Sequence, residues 1–279
     1  MLFRPVLRFA AVALPVWFVV LPAAAQQAAT TEDLFQAMQL PQIIAVMREE
    51  GLGYGQELAD QMFPGGAPAD WADAVSTIYD ADRMTAEVQA AFDDALAGQD
   101  LTALVAFFTT EPGATIISLE VSARGAMLDD EVEAAAKEIA AVAIADATPR
   151  YELISRFVET NDLIETNVIS AMNSNVAYYL GLMQGGAMGG DVTESQLLSD
   201  VYRQEDAIRG TTTEWVYSFL LLAYDPLSDA DLEAYIAFSG TPAGQAVNRG
   251  LFNAFDDTFK DISYALGVAT AQFMVTQEL

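Results

Sequence analysis

The side chains available for chemistry are limited from the outset, because the 279 residues include no histidine and no cysteine. No thiolate nucleophile, no Ser-His-Asp or Cys-His set, no disulfide, and none of the usual His or Cys ligation of zinc or haem can be assembled. What remains is carboxylate, tyrosine, serine and threonine, two lysines and a few arginines. Two acidic runs stand out: Asp129, Asp130, Glu131 and Glu133, and Asp225, Asp229, Asp231 and Glu233. Oxygen-rich clusters hold calcium, yet neither run has the alternating acids and central glycine of a twelve-residue calcium loop. Acids at helix starts, answering the positive end of the helix dipole, account for both. Paired carboxylates also serve as acid and base on a sugar bond, so an enzyme of envelope polysaccharide stays open, although nothing fixes their separation. No catalytic residue, metal site or cofactor is expected.

A second unusual composition is Ala177 to Gly190, where Tyr178, Tyr179, Met183 and Met188 are interleaved with glycines. Polarizable methionines beside an aromatic helix suit an adaptable lip for an apolar ligand or a partner peptide. The more ordinary reading of the same stretch is a helix–helix loop whose glycines serve turn geometry.

Stepping outward to the elements that hold these residues, the chain contains an internal repeat. Asp100 to Phe107 is matched, 131 positions later and without a gap, by Asp231 to Phe238, and both copies run on to a glycine at the same offset, Gly113 and Gly244. Each copy reads as a helix, a corner and a second helix. In the later copy Ser228 with Asp231 resembles a capping box, Gly240 suits a helix C-terminus, and Pro242 suits the first turn of the next helix.

These corners, through Leu232, Phe238, Pro242, Gly244 and Gln245 and more loosely through Phe107, Phe108 and Gly113, resemble the bacterial family known as domain of unknown function 2059. Ser239 stands where that family usually has an aromatic, and the first copy has Ala114 in place of Gln245. The second copy is the fuller match. The resemblance implies an exported, all-helical protein and implies no activity.

Residues 1–25 join Arg4 and Arg8 to an apolar run and end in Ala23-Ala24-Ala25, the grammar of a secretory signal peptide. The apolar run is shorter than the roughly 20 residues that span a bilayer and is broken by Pro15 and Pro22. Export is therefore expected, to the periplasm in a Gram-negative cell, with no membrane span after cleavage. Cleavage removes two of the 12 basic residues and none of the 40 acidic ones, leaving a formal charge of −30 over 254 residues. Such a surface repels nucleic acid, which is bound through Lys and Arg neutralising phosphate. Apolar residues make up 53% of the chain, so the charge does not imply disorder.

The expected architecture is all-α: two homologous units, 26–148 and 149–279, of about four or five helices each, packed as one bundle-like body with Thr148-Pro149 as the boundary. Pro41 and Asn161 are expected to start equivalent helices. Phe252, Phe255, Phe259, Ile262, Leu266, Ala269 and Phe273 alternate at spacings of three and four, a seam that must face another helix, either inside the chain or in a homodimer through the C-terminal helix. Val121, Gly125, Leu128, Val132, Ala135, Ile139 and Val142 repeat the spacing in the first unit, with Arg124 where the second has Phe255. The leading functional expectation is a non-catalytic binding or protein-interaction module. Beside it stands a carrier of an apolar small molecule with a site between the units.

Overall fold

A computed structural model describes residues 28–188 and 193–277. The proposed signal peptide, and Gly189 and Gly190 of the glycine-methionine stretch, lie outside the described residues. Among the described residues every regular element is a helix, as the patterning predicts. The N-terminal half carries α1 (Thr31–Ala37), α2 (Leu40–Met62), α3 (Trp71–Ile78), α4 (Ala81–Ala95), α5 (Thr102–Thr109), α6 (Gly113–Ala126) and α7 (Asp130–Ala145). The C-terminal half carries α8 (Pro149–Thr160), α9 (Leu163–Gln184), α10 (Glu194–Tyr202), α11 (Glu205–Tyr224), α12 (Asp229–Ser239) and α13 (Pro242–Gln277). Each half therefore has more helices, several of them short, than the four or five expected.

Local chemistry explains most of the breaks. Thr30 and Thr193 each open a helix with a full capping box, and Asp80, Asp129, Thr148 and Ser228 cap α4, α7, α8 and α12 by accepting first-turn N–H groups. The α1–α2 and α8–α9 junctions are made another way, by single residues in the left-handed region, Gln39 at φ 51° and Asp162 at φ 52°. Asn161 therefore does not start α9. It ends α8, where its side-chain amide donates to the Phe157 carbonyl at 3.0 Å. One such residue turns the chain by more than a side-chain cap does, because it reverses the sign of φ.

The two halves follow one order of helices, short, long, short, long, short, and then diverge. α13 continues unbroken for 36 residues, whereas its counterpart by position splits into α6 and α7. The split falls at Met127 to Asp129, where the Asp129 carboxylate accepts the Glu131 and Val132 N–H groups and begins a new helix. The first-unit seam consequently does not pack as one. α7 instead buries Ala136, Ala140 and Ala143, leaving Ile139 and Val142 at 58% and 60% exposure. Small alanines let α11 approach α7 closely, which is why that face wins over the bulkier one.

The α13 seam does face helices of the same chain. Ile262 and Leu266 are buried where α13 lies along α9 and across α4. α11 in turn crosses to α6 and α7, so each half lays a long helix against the closing helix of the other. One continuous apolar core results, with Phe35, Phe92, Ile154, Tyr224 and Leu232 among its fully buried members. No single helix among the described residues is long and apolar enough to cross a membrane.

Candidate functional site

Between the halves lies a cavity of about 300 Å³. One wall is the α6 face that presents Glu120, Val121 and Arg124, and the opposite wall is the start of α13, with Phe252, Phe255, Asp256 and Phe259. α11 contributes Trp215, Phe219 and Tyr224, α12 contributes Tyr235, and the first turns of α9 contribute Leu163, Asn167 and Ser170. This volume is at the small end of the roughly 300–1,000 Å³ typical of ligand pockets. The lining is mainly aromatic and aliphatic with a few convergent polar groups, the composition that such pockets share.

Glu120 is the chemical centre. It lies one turn after the buried Ile116 on α6 and is itself half-buried on the cavity wall, yet it is a carboxylate. The Tyr224 hydroxyl donates to its Oε1 at 2.6 Å, and the Tyr235 hydroxyl lies near enough to act on the same carboxylate. Burial pushes the Glu120 carboxyl up to about 7, the two tyrosine hydroxyls opposing that rise only in part. Burial, followed by the nearby Glu120 charge, holds both tyrosines well above the ordinary phenol range. The pair of hydroxyls is thus a fixed set of neutral donors. Phe157 packs edge-on to Tyr224 and against Tyr235, with ring centroids 5.7 and 4.8 Å away, and locks both rings.

Arg124 shares the α6 wall, but its charge is spoken for. Its Nε and one terminal nitrogen bond the Glu50 carboxylate at 3.0 and 2.7 Å, and its guanidinium lies 5.5 Å from the Trp215 ring centre. Trp215 is itself stacked on Phe219 at 5.3 Å. On the opposite wall Asp256 accepts from Asn173 and pairs with Lys260 at 3.2 Å.

The corner residues meet beneath this site. Phe107 and Phe238 stack face to face, centroids 3.7 Å apart and planes within 5°, with Phe108 edge-on to both. Gly113 and Gly244 occupy matching places behind them. A Cβ at Gly113 would lie 2.2 Å from the Phe107 carbonyl oxygen, and one at Gly244 would lie 2.3 Å from that of Phe238. Pro242 opens α13, and the Gln245 amide donates to the Thr160 and Ser239 carbonyls at 2.8 and 2.9 Å, tying the corner to the end of α8. These are structural tasks.

The cavity is lined by none of Tyr178, Tyr179, Met183 and Met188. Tyr178, Tyr179 and Met183 sit at the other end of α9, two or more turns beyond Ser170, and Met188 lies past its end. There α9 and α13 press backbone to backbone, since a Cβ on Gly181 would meet the Tyr264 carbonyl at 2.2 Å and one on Gly267 would meet that of Tyr178 at 2.1 Å. Gly181 and Gly185 thus serve close packing of α9 on α13, whose backbones leave no room for a ligand between them there. The acidic runs are likewise occupied. Asp129 caps α7, Glu133 pairs with Lys137 at 2.8 Å, Asp229 with Arg150 at 3.0 Å, and Glu233 with Arg156 at 3.2 Å. Among the described residues no group of three or more acids is placed to hold a metal ion.

Residues 82–141 match the model of domain of unknown function 2059, described as an uncharacterized protein conserved in bacteria. That segment carries the first corner, and with it Phe107, Gly113, Glu120 and Arg124, whereas the second corner reads as the fuller motif. The family's segment therefore supplies the polar wall of the cavity. No curated protein and no solved structure matches the chain.

Proposed function

We propose that this is an exported helical protein that binds a small apolar molecule in the cavity between its two halves. The observation that carries the reading is Glu120: a carboxylate bonded by the Tyr224 hydroxyl, with that of Tyr235 beside it, on the wall of an otherwise aromatic cavity. Burying an acid in this way is costly for stability alone, and a binding site is where that cost has a use. Export is supported by the signal-peptide grammar of residues 1–25.

The halves themselves fit a tandem duplication. Phe107 and Phe238, which stand 131 positions apart at equal places in the repeat, stack on one another, and equivalent residues meet where a two-fold relation passes between copies. A site formed between the copies then has two walls of common origin free to diverge.

The test is native mass spectrometry on the protein purified gently from the exported fraction of its own cell. A mass above that of the chain by one small organic increment is the expected result. A bare chain, together with no thermal shift across a panel of apolar compounds, would contradict the reading. A second reading, a protein-interaction module, is favoured by the exposed Ile139 and Val142 on α7. A stable dimer in the same spectrum, lost on Ile139→Glu, is its signature.

A further inference from the structure

The charges around the cavity say which kind of molecule fits, given that the cavity is a binding site as proposed above. Among the described residues the one cationic side chain on its walls, Arg124, is bidentate to Glu50 and lies over Trp215. Asp256, the second carboxylate on the wall, already has Lys260 and Asn173. Glu120 is different. It is bonded by one neutral hydroxyl, that of Tyr224, with the neutral Tyr235 hydroxyl beside it, and among the described residues it has no ion pair. A carboxylate with only neutral donors around it remains short of positive charge, and in a low-dielectric cavity that shortage is felt strongly.

We propose that the cavity takes an apolar amine, with its protonated nitrogen beside the Glu120 carboxylate and its hydrocarbon against Phe219, Phe252 and Phe255. The aromatic faces favour the same ligand, since a ring face attracts a cation, as the Arg124–Trp215 contact already shows here. An apolar acid is disfavoured. It would bring a like charge to Glu120, and the Arg124 guanidinium that would offset it is held by Glu50. The whole-molecule charge of −28 also draws cations and repels anions before contact.

Proton balance gives the proposal a signature. The groups that face Glu120 are Tyr224 from α11 and Tyr235 from α12, with Arg124 one turn along α6, Glu50 behind it on α2, and Asp256 across the cavity on α13. Of these, Glu120 is the group pushed up to about 7. Below that value an arriving ammonium ionises Glu120, and the carboxyl proton leaves to the buffer. Above it no proton is exchanged.

The experiment is titration calorimetry of the full chain with phenylbutylamine, with the matching alcohol, and with the matching carboxylic acid. The amine is expected to bind about tenfold more tightly than the alcohol at about pH 8, the worth of one charge-assisted hydrogen bond, and the acid more weakly than either. At about pH 6 the amine's binding heat should change with the ionisation heat of the buffer, reporting the released proton. In Glu120→Gln the amine's advantage should shrink to within about twofold and the buffer dependence should vanish, while the alcohol still binds. Equal or tighter binding of the alcohol or the acid by the natural chain would overturn the amine assignment and leave the cavity reading standing. If none of the three binds, both fall. Retained amine preference in Glu120→Gln would also overturn the assignment, because the charge would then lie elsewhere.

Discussion

The two walls of the cavity come from equal places in the repeat and are opposite in character. Positions 120 and 124 on α6 are Glu and Arg, and the positions 131 residues later on α13 are Leu251 and Phe255. Both helices follow a glycine-closed corner, and both present this face to the same space. One wall supplies the polar contact and the other the apolar surface. The difference continues beyond the cavity. α6 ends at Ala126 and hands over to α7, whereas α13 runs on to close the body against α9 and α4. The lesson is that matching positions need not have matching tasks: the corners are alike because their backbone geometry allows no alternative, while the helices after them differ.

The strongest way to break this comparison is at the corners. Gly113→Ala and Gly244→Ala each place a Cβ within 2.3 Å of a backbone carbonyl oxygen that cannot swing aside, and each is expected to cost on the order of 3 kcal/mol in urea denaturation. A corner that tolerates the methyl group would show the two to be unlike after all. Next is Phe238→Ala, which removes the stack on Phe107 and the edge contact with Phe108. A loss of about 2–3 kcal/mol is expected, below the full core value because the ring is only half-buried.

Glu120 separates the walls by pH. Its folded value near 7 lies above the ordinary 4.5, so between those values the native state holds more protons than the unfolded chain. Stability from this group is therefore full below about pH 4.5 and is lost as pH rises to about 7, by an amount on the order of 3 kcal/mol. Because other carboxylates ionise over part of the same range, the measurement is the difference between the natural chain and Glu120→Gln. The variant should gain relative stability steadily across that window, and parallel curves would contradict the burial argument. The smallest effect is expected at Arg156→Ala. Its pair with Glu233 is more than half exposed on both sides, and a change within about 0.5 kcal/mol is expected.

The corners were legible in the sequence because glycine and proline act on their own backbone, and Ser228, Pro149 and Pro242 cap or open helices where the local pattern places them. The α8–α9 junction was misread because Asp162, a neighbour of the obvious cap Asn161, makes the turn through its own φ. The broken seam after Leu128 follows from a cap at Asp129 that sequence spacing alone did not weigh against the apolar period. Glu120 escaped notice because nothing local marks it. Its partner Tyr224 lies 104 residues away, on a helix from the other half. The available signal was a lone carboxylate one turn beyond Ile116 on an otherwise apolar stripe, and a long-range partner was needed to give it meaning.

Trp215 on the cavity wall offers the most direct test of whether this space takes a ligand. A bromophenyl alkylamine titrated into the natural chain should quench tryptophan emission saturably, because the bromine would lie against the Trp215–Phe219 stack. Trp215→Phe should abolish that response, leaving the emission of Trp71, buried on the far side against Phe63 and Phe273, unchanged. Saturable quenching that survives Trp215→Phe, or no quenching in the natural chain, would contradict the placement of the site.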